Sequence, residues 1–185
     1  MSAYLVLLFA VLSRVMPHAF NFTAVGGSLL FFGSRMSAKT GGARWKTAIA
    51  VAVMAATDYY LTVFAYGYPF HVSAYLATWV WYGAICLAGR SLLGGGASWM
   101  RVGAGVLASS TSFFLLSNFM VWAAGGMYAK SAAGLGACYV AAVPFYANDV
   151  ISTAMTAGML FGLPALARGM VEGAREMEAS KLPIA

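Results

Sequence analysis

Seven stretches of at least eleven residues contain no Asp, Glu, Lys or Arg, and together they fix the solvent in which this chain can fold. They cover residues 1–13, 15–34, 47–57, 59–89, 102–129, 131–148 and 150–167. A helix that crosses the hydrocarbon needs about 20 mostly apolar residues, or somewhat fewer where the bilayer thins or the ends snorkel. With 62% hydrophobic residues, 9% charged residues and a mean hydropathy of +0.79, the composition is that of an integral membrane protein. Lipid offers no hydrogen bonds to the backbone, so the fold class follows as all-α.

The pattern predicts six spans: residues 3–16, 23–36, 46–65, 73–89, 102–124 and 145–167. The first two are short and form a tight hairpin around Pro17. Pro144 is expected to divide the last apolar region into a short outer half-helix over 136–143 and the sixth span proper, because a proline ring clashes with the preceding turn. Residues 1–170 make one six-helix domain, and 171–185 form a short cytoplasmic tail. The N-terminal run lacks a basic start and carries Arg14 where an apolar core should continue, so it is expected to be a retained helix rather than a signal peptide.

Cytoplasmic loops retain Lys and Arg, which gives the orientation. Six spans place Arg35, Lys39, Arg44, Lys46, Arg90, Arg101, Arg168, Arg175 and Lys181 on one side, nine of the eleven basic residues. Both termini are therefore expected in the cytoplasm. The +6 charge is explained by this bias and by anionic lipid heads; no soluble domain is large enough to bind nucleic acid. Cys86 and Cys138 lack metal-ligand spacing and fall near opposite ends of the bundle, so no metal, cofactor or disulfide is expected. A serine elbow, paired histidines at helical spacing and a phosphate-cradling glycine loop are all absent from the sequence, and no enzymatic chemistry is expected.

Polar residues sit at one depth. Asp58 lies twelve residues beyond Lys46, about 18 Å along a helix and past the midplane. Arg14, His18, Asn21, His71, Asn118, Asn148 and Asp149 fall in the same outer half or its loops, with Trp122 one turn after Asn118 and Tyr146 beside Asn148. Ionisable groups at membrane depth are functional sites by default. These ten residues are the candidate ligand contacts of an outward-facing pocket, with a structural pair between Arg14 and Asp58 or Asp149 as the competing reading. Tyr66 and Tyr68 are assigned to the interfacial aromatic belt. Small residues at four-residue spacing, Ala48, Ala52 and Ala56 on the third span and Ala154, Gly158 and Gly162 on the sixth, are expected to pack helices closely, internally or against a partner subunit.

Three blocks carry a family resemblance: Arg14-Val15-Met16-Pro17-His18-Ala19-Phe20-Asn21-Phe22, Ser117-Asn118-Phe119-Met120-Val121-Trp122, and Gly134-Leu135-Gly136-Ala137-Cys138-Tyr139 leading to Pro144-Phe145-Tyr146. In order and spacing they resemble an uncharacterised bacterial membrane family, domain of unknown function 6580. That family is similar to the substrate-binding S components of energy-coupling factor (ECF) vitamin transporters. The resemblance implies six helices, cytoplasmic termini, location in a bacterial inner membrane and an outer-half pocket for a small vitamin-like solute. It also implies that Arg14, His18, Asn21, Asn118, Trp122 and Tyr146 line or close that pocket. The alternative function is an accessory subunit of a larger membrane complex.

Overall fold

A computed structural model describes residues 2–36 and 42–179. Lys39, Lys181 and the tail beyond residue 179, which enter the charge bias and the tail assignment above, lie outside the described residues. Six α-helices follow one another: α1 (Ser2–Val15), α2 (Val25–Ser34), α3 (Ala43–Tyr60), α4 (Val72–Leu93), α5 (Trp99–Ala124) and α6 (Ala132–Ala179). A π-helical turn, Leu61–Ala65, extends α3. Four helices are long and apolar enough to cross a membrane: Ala43–Ala65, Val72–Leu93, Trp99–Ala124 and Ala132–Met177. Ala3–Val15 and Val25–Ser34 are shorter apolar helices.

The expected break at Pro144 does not occur. Both Pro144 and Pro164 lie inside α6, which is continuous over 48 residues. Proline interrupts one backbone hydrogen bond, but in a membrane helix neighbouring helices and local adjustment compensate for it. Gly136 to Val143 is therefore the first part of α6 and not a separate half-helix.

The bundle is organised around α2. All nine residues from Val25 to Gly33 are buried, and α2 packs against α1, α4, α5 and α6. Two glycines bring α2 and α4 together: a Cβ on Gly33 would collide with the Cys86 carbonyl, and one on Gly89 with the Leu30 carbonyl. Neither obstacle is a flexible side chain, so only glycine permits this crossing. Leu29, Leu30, Phe32, Met54, Ile85 and Val106 fill the centre of the apolar core.

The loop between α1 and α2 is held near its middle and at its end. Ala24 N–H donates to Ser13 Oγ at 3.0 Å, and Asn148 Nδ2 on α6 donates to the Phe20 carbonyl at 3.0 Å. Phe20 meets Phe145 edge to face, with centroids 6.0 Å apart. Asn21 takes a left-handed conformation, φ 56°, which asparagine tolerates better than most residues. The loop thus closes over the end of the bundle where α1 and α3 finish and α2 and α4 begin.

A candidate solute cavity built on an enclosed ion pair

Beneath that loop lies a cavity of about 250 Å³. Its walls come from the end of α1, the start of α2, the π-helical turn, α4, α5 and α6. Among the sequence-predicted residues it brings together Arg14, His18, Asn21, Asp58 and Asp149.

Arg14 and Asp58 form an ion pair, with Asp58 only 3% exposed and Arg14 14%. Further hydrogen bonds hold both partners. Arg14 also donates to Thr57 Oγ1 at 2.5 Å and to the Met54 carbonyl at 3.3 Å. Asp58 accepts from Trp79 Nε1 at 2.9 Å and from the Tyr82 hydroxyl at 3.3 Å. A buried pair is tolerated only when extra hydrogen bonds meet its unused donors and acceptors, and removing one partner typically costs about 3–5 kcal/mol. The pair joins α1, α3 and α4 into one unit.

The π-helical turn shapes the wall above it. Tyr66 N–H donates to Leu61 O at 2.9 Å, the five-residue step that defines the turn, and Thr62 Oγ1 donates to Asp58 O at 2.7 Å. Thr62 Oγ1 also lies 2.6 Å from the Tyr75 hydroxyl. Tyr75 stacks on Phe70, 4.9 Å between centroids, and next to Trp79, at 6.3 Å. Tyr66 and Tyr68, assigned above to the membrane belt, line the cavity, as do Trp81 and Phe113.

Asp149 differs from Asp58. It is 8% exposed and lines the cavity, yet forms no ion pair among the described residues. Because Arg14 and Asp58 cancel, Asp149 supplies the cavity's uncompensated charge when ionised. Near it are enclosed hydroxyls without a hydrogen-bond partner: Ser109, Ser110 and Thr153, with Ser28 the fourth in the described residues. Each such group normally costs about 1–3 kcal/mol.

The other predicted residues are distributed around this centre. Asn118 and Tyr146 line an adjoining cavity of about 210 Å³ that shares Asn21 and Asp149 with the first. Asn118 donates to its own helix at Phe114 O, 2.8 Å, and the Tyr146 hydroxyl lies 2.9 Å from Thr111 Oγ1. Asn148 is the tether to the loop rather than a wall. Trp122 donates to Ala129 O at 2.9 Å and, with Lys130 capping the carbonyls of Trp122, Ala123 and Gly125, organises the loop between α5 and α6. His71 is the exposed residue preceding α4 and does not join the cavity lining. Tyr75, Trp79, Tyr82 and Thr57, which complete the ion pair and its wall, were not singled out by sequence; donors spaced for Asp58 on one face of α4, Trp79 and Tyr82, were the available signal.

Residues 1–175 match the family described as "Family of unknown function (DUF6580)". The chain belongs to the DUF6580 family. Among curated proteins none matches it, and among solved structures none does. The cavity and its ion pair therefore lie within the DUF6580 region itself, which covers α1 to α5 and α6 as far as residue 175.

Proposed function

We propose that this DUF6580 protein is a small-solute binding or uptake protein of the bacterial inner membrane, arranged as six spans with both termini cytoplasmic and the cavity open to the outside, in the manner of an ECF transporter S component. The observation that carries the reading is the cavity under the α1–α2 loop, walled by tyrosines and holding one carboxylate that forms no ion pair among the described residues. Its volume of about 250 Å³ lies just below the roughly 300–1,000 Å³ of drug-sized sites, which fits a vitamin-like or smaller molecule. Arg14 is engaged by Asp58 in this state, so an anionic solute would have to compete with Asp58 for it. Aromatic walls favour a planar or cationic group, and Asp149 favours the latter.

Native mass spectrometry of the protein released from mild detergent tests this. A bound small molecule present in the parent and lost in Asp149→Asn is the expected result. Absence of any co-purified or added solute in both proteins, across a panel of vitamins and organic cations, would overturn it.

A second reading, an accessory subunit of a larger membrane complex, rests on the Ala48, Ala52 and Ala56 row, which is exposed on α3. Small residues allow another helix to approach closely. Co-purification of a second membrane protein, lost on Ala52→Leu, supports that reading.

A further inference from the structure

The enclosed hydroxyls form a group. Thr153 stands one turn beyond Asp149 on the same face of α6. Ser110 lines the adjoining cavity together with Asp149, its hydroxyl has no hydrogen-bond partner, and Ser109 precedes it on α5. The Ser109 and Thr153 oxygens converge on Gly26 of α2: a methyl group built there would lie 2.9 Å from the first and 2.7 Å from the second. Ser109, Ser110 and Thr153 are each fully buried, so water at the surface does not satisfy them. Ser28 is separate, two residues from Gly26 and about 200° around α2.

We propose that Asp149, Ser109, Ser110 and Thr153 form a sodium-ion site where α2, α5 and α6 meet. Every donor is oxygen, which suits a hard cation and excludes the softer metals that seek thiolate or imidazole. One carboxylate matches one positive charge; a divalent ion would leave an uncompensated charge among apolar helices. Magnesium also keeps several waters and demands an octahedral shell that this tight junction does not supply. The lack of a Cβ at Gly26 is what lets the two hydroxyls approach the α2 backbone, and Gly26 and Asp149 both line the solute cavity, which gives the ion a route in. On the solute-binding reading above, sodium would set the charge that an entering solute meets. The site itself does not depend on that reading.

The test uses the full chain in detergent without added solute, so failure of solute binding does not affect it. Thermal unfolding is followed against sodium chloride, with choline chloride keeping ionic strength constant. The expected result is a saturable rise in midpoint with sodium that potassium and choline do not reproduce. Thr153→Val and Ser110→Ala should each raise the half-saturating sodium concentration at least about tenfold, Thr153→Ser should preserve it, and Gly26→Ala should abolish the response. Midpoints in choline alone separate lost binding from misfolding; if Thr153→Val does not fold, Ser110→Ala decides. No sodium-specific rise in the parent, an equal rise in choline, or an unchanged half-saturation in a folded hydroxyl variant would overturn the proposal. Stabilisation that follows pH but not sodium would overturn it as well.

Discussion

Removing Asp58 should damage the fold more than removing Arg14, and the order follows from how each charge can be neutralised. In Asp58→Asn the guanidinium stays ionised, since arginine does not deprotonate in proteins. It is 14% exposed and keeps only neutral acceptors, the introduced amide oxygen, Thr57 Oγ1 and the Met54 carbonyl, with no counter-charge. An unpaired buried charge costs about 3–5 kcal/mol, or roughly 6–20 °C of midpoint at about 2–4 °C per kcal/mol for a chain of this size. In Arg14→Met the carboxylate keeps Trp79 and Tyr82 as donors and can take up a proton, so the loss should be smaller. The double variant Arg14→Met/Asp58→Leu removes both charges and should regain most of the stability, because apolar replacement of a whole buried pair is often neutral. Thermal unfolding of the parent and the three variants in one detergent compares them directly. Equal destabilisation by the two single variants, or a double variant no better than Asp58→Asn, would refute this account of the pair as an enclosed structural charge.

Gly33→Ala places a Cβ 2.8 Å from the Cys86 carbonyl carbon and 3.1 Å from Arg90 N; overpacking of this kind costs about 1–3 kcal/mol. Gly83→Ala, whose nearest neighbours are the Val51 and Thr47 side chains at 3.6 and 3.7 Å, should stay within about 0.5 kcal/mol of the parent, and unfolding midpoints compare the two directly. Asn148→Ala frees the Phe20 carbonyl and should lower stability by about 0.6–1.7 kcal/mol, with faster protease cleavage of the α1–α2 loop as the readout. For topology, single cysteines replacing Ser98 and Lys130 in a background where Cys86 and Cys138 are changed to Ala should label from opposite sides of sealed vesicles; labelling from the same side contradicts six spans.

The apolar runs made the helices legible because hydrophobicity alone positions a helix in lipid. Depth was equally legible: counting 1.5 Å per residue from Lys46 put Asp58 level with Arg14, and the two pair. Azimuth was not. Residues of one depth but different faces separate in the bundle, so Trp122 and His71 lie away from the cavity while Tyr75 and Tyr82 enter it. Tyr66 and Tyr68 belong to the cavity and not to the membrane belt because the Leu61–Ala65 turn before them advances by five residues rather than four and shifts the chain that follows. Pro144 misled for a different reason: the penalty for proline inside a helix comes from soluble hosts, whereas membrane neighbours repair the interruption. Ser109, Ser110 and Thr153 carried no signal, since isolated hydroxyls in membrane helices ordinarily bond to their own backbone.

The enclosure of α2 constrains how the protein is made. Ten residues span about 15 Å, half of a hydrocarbon core of about 30 Å, so α2 cannot hold a position across the bilayer by itself. During synthesis it emerges before α4, α5 and α6, the helices that later surround it. On the six-span reading, its two ends would lie until then at a depth where unpaired backbone groups find no water. The glycine crossing at Gly33 and Gly89 is the contact that encloses α2 once α4 is in place. The order of synthesis therefore makes the enclosure of α2 depend on helices that come after it in the chain.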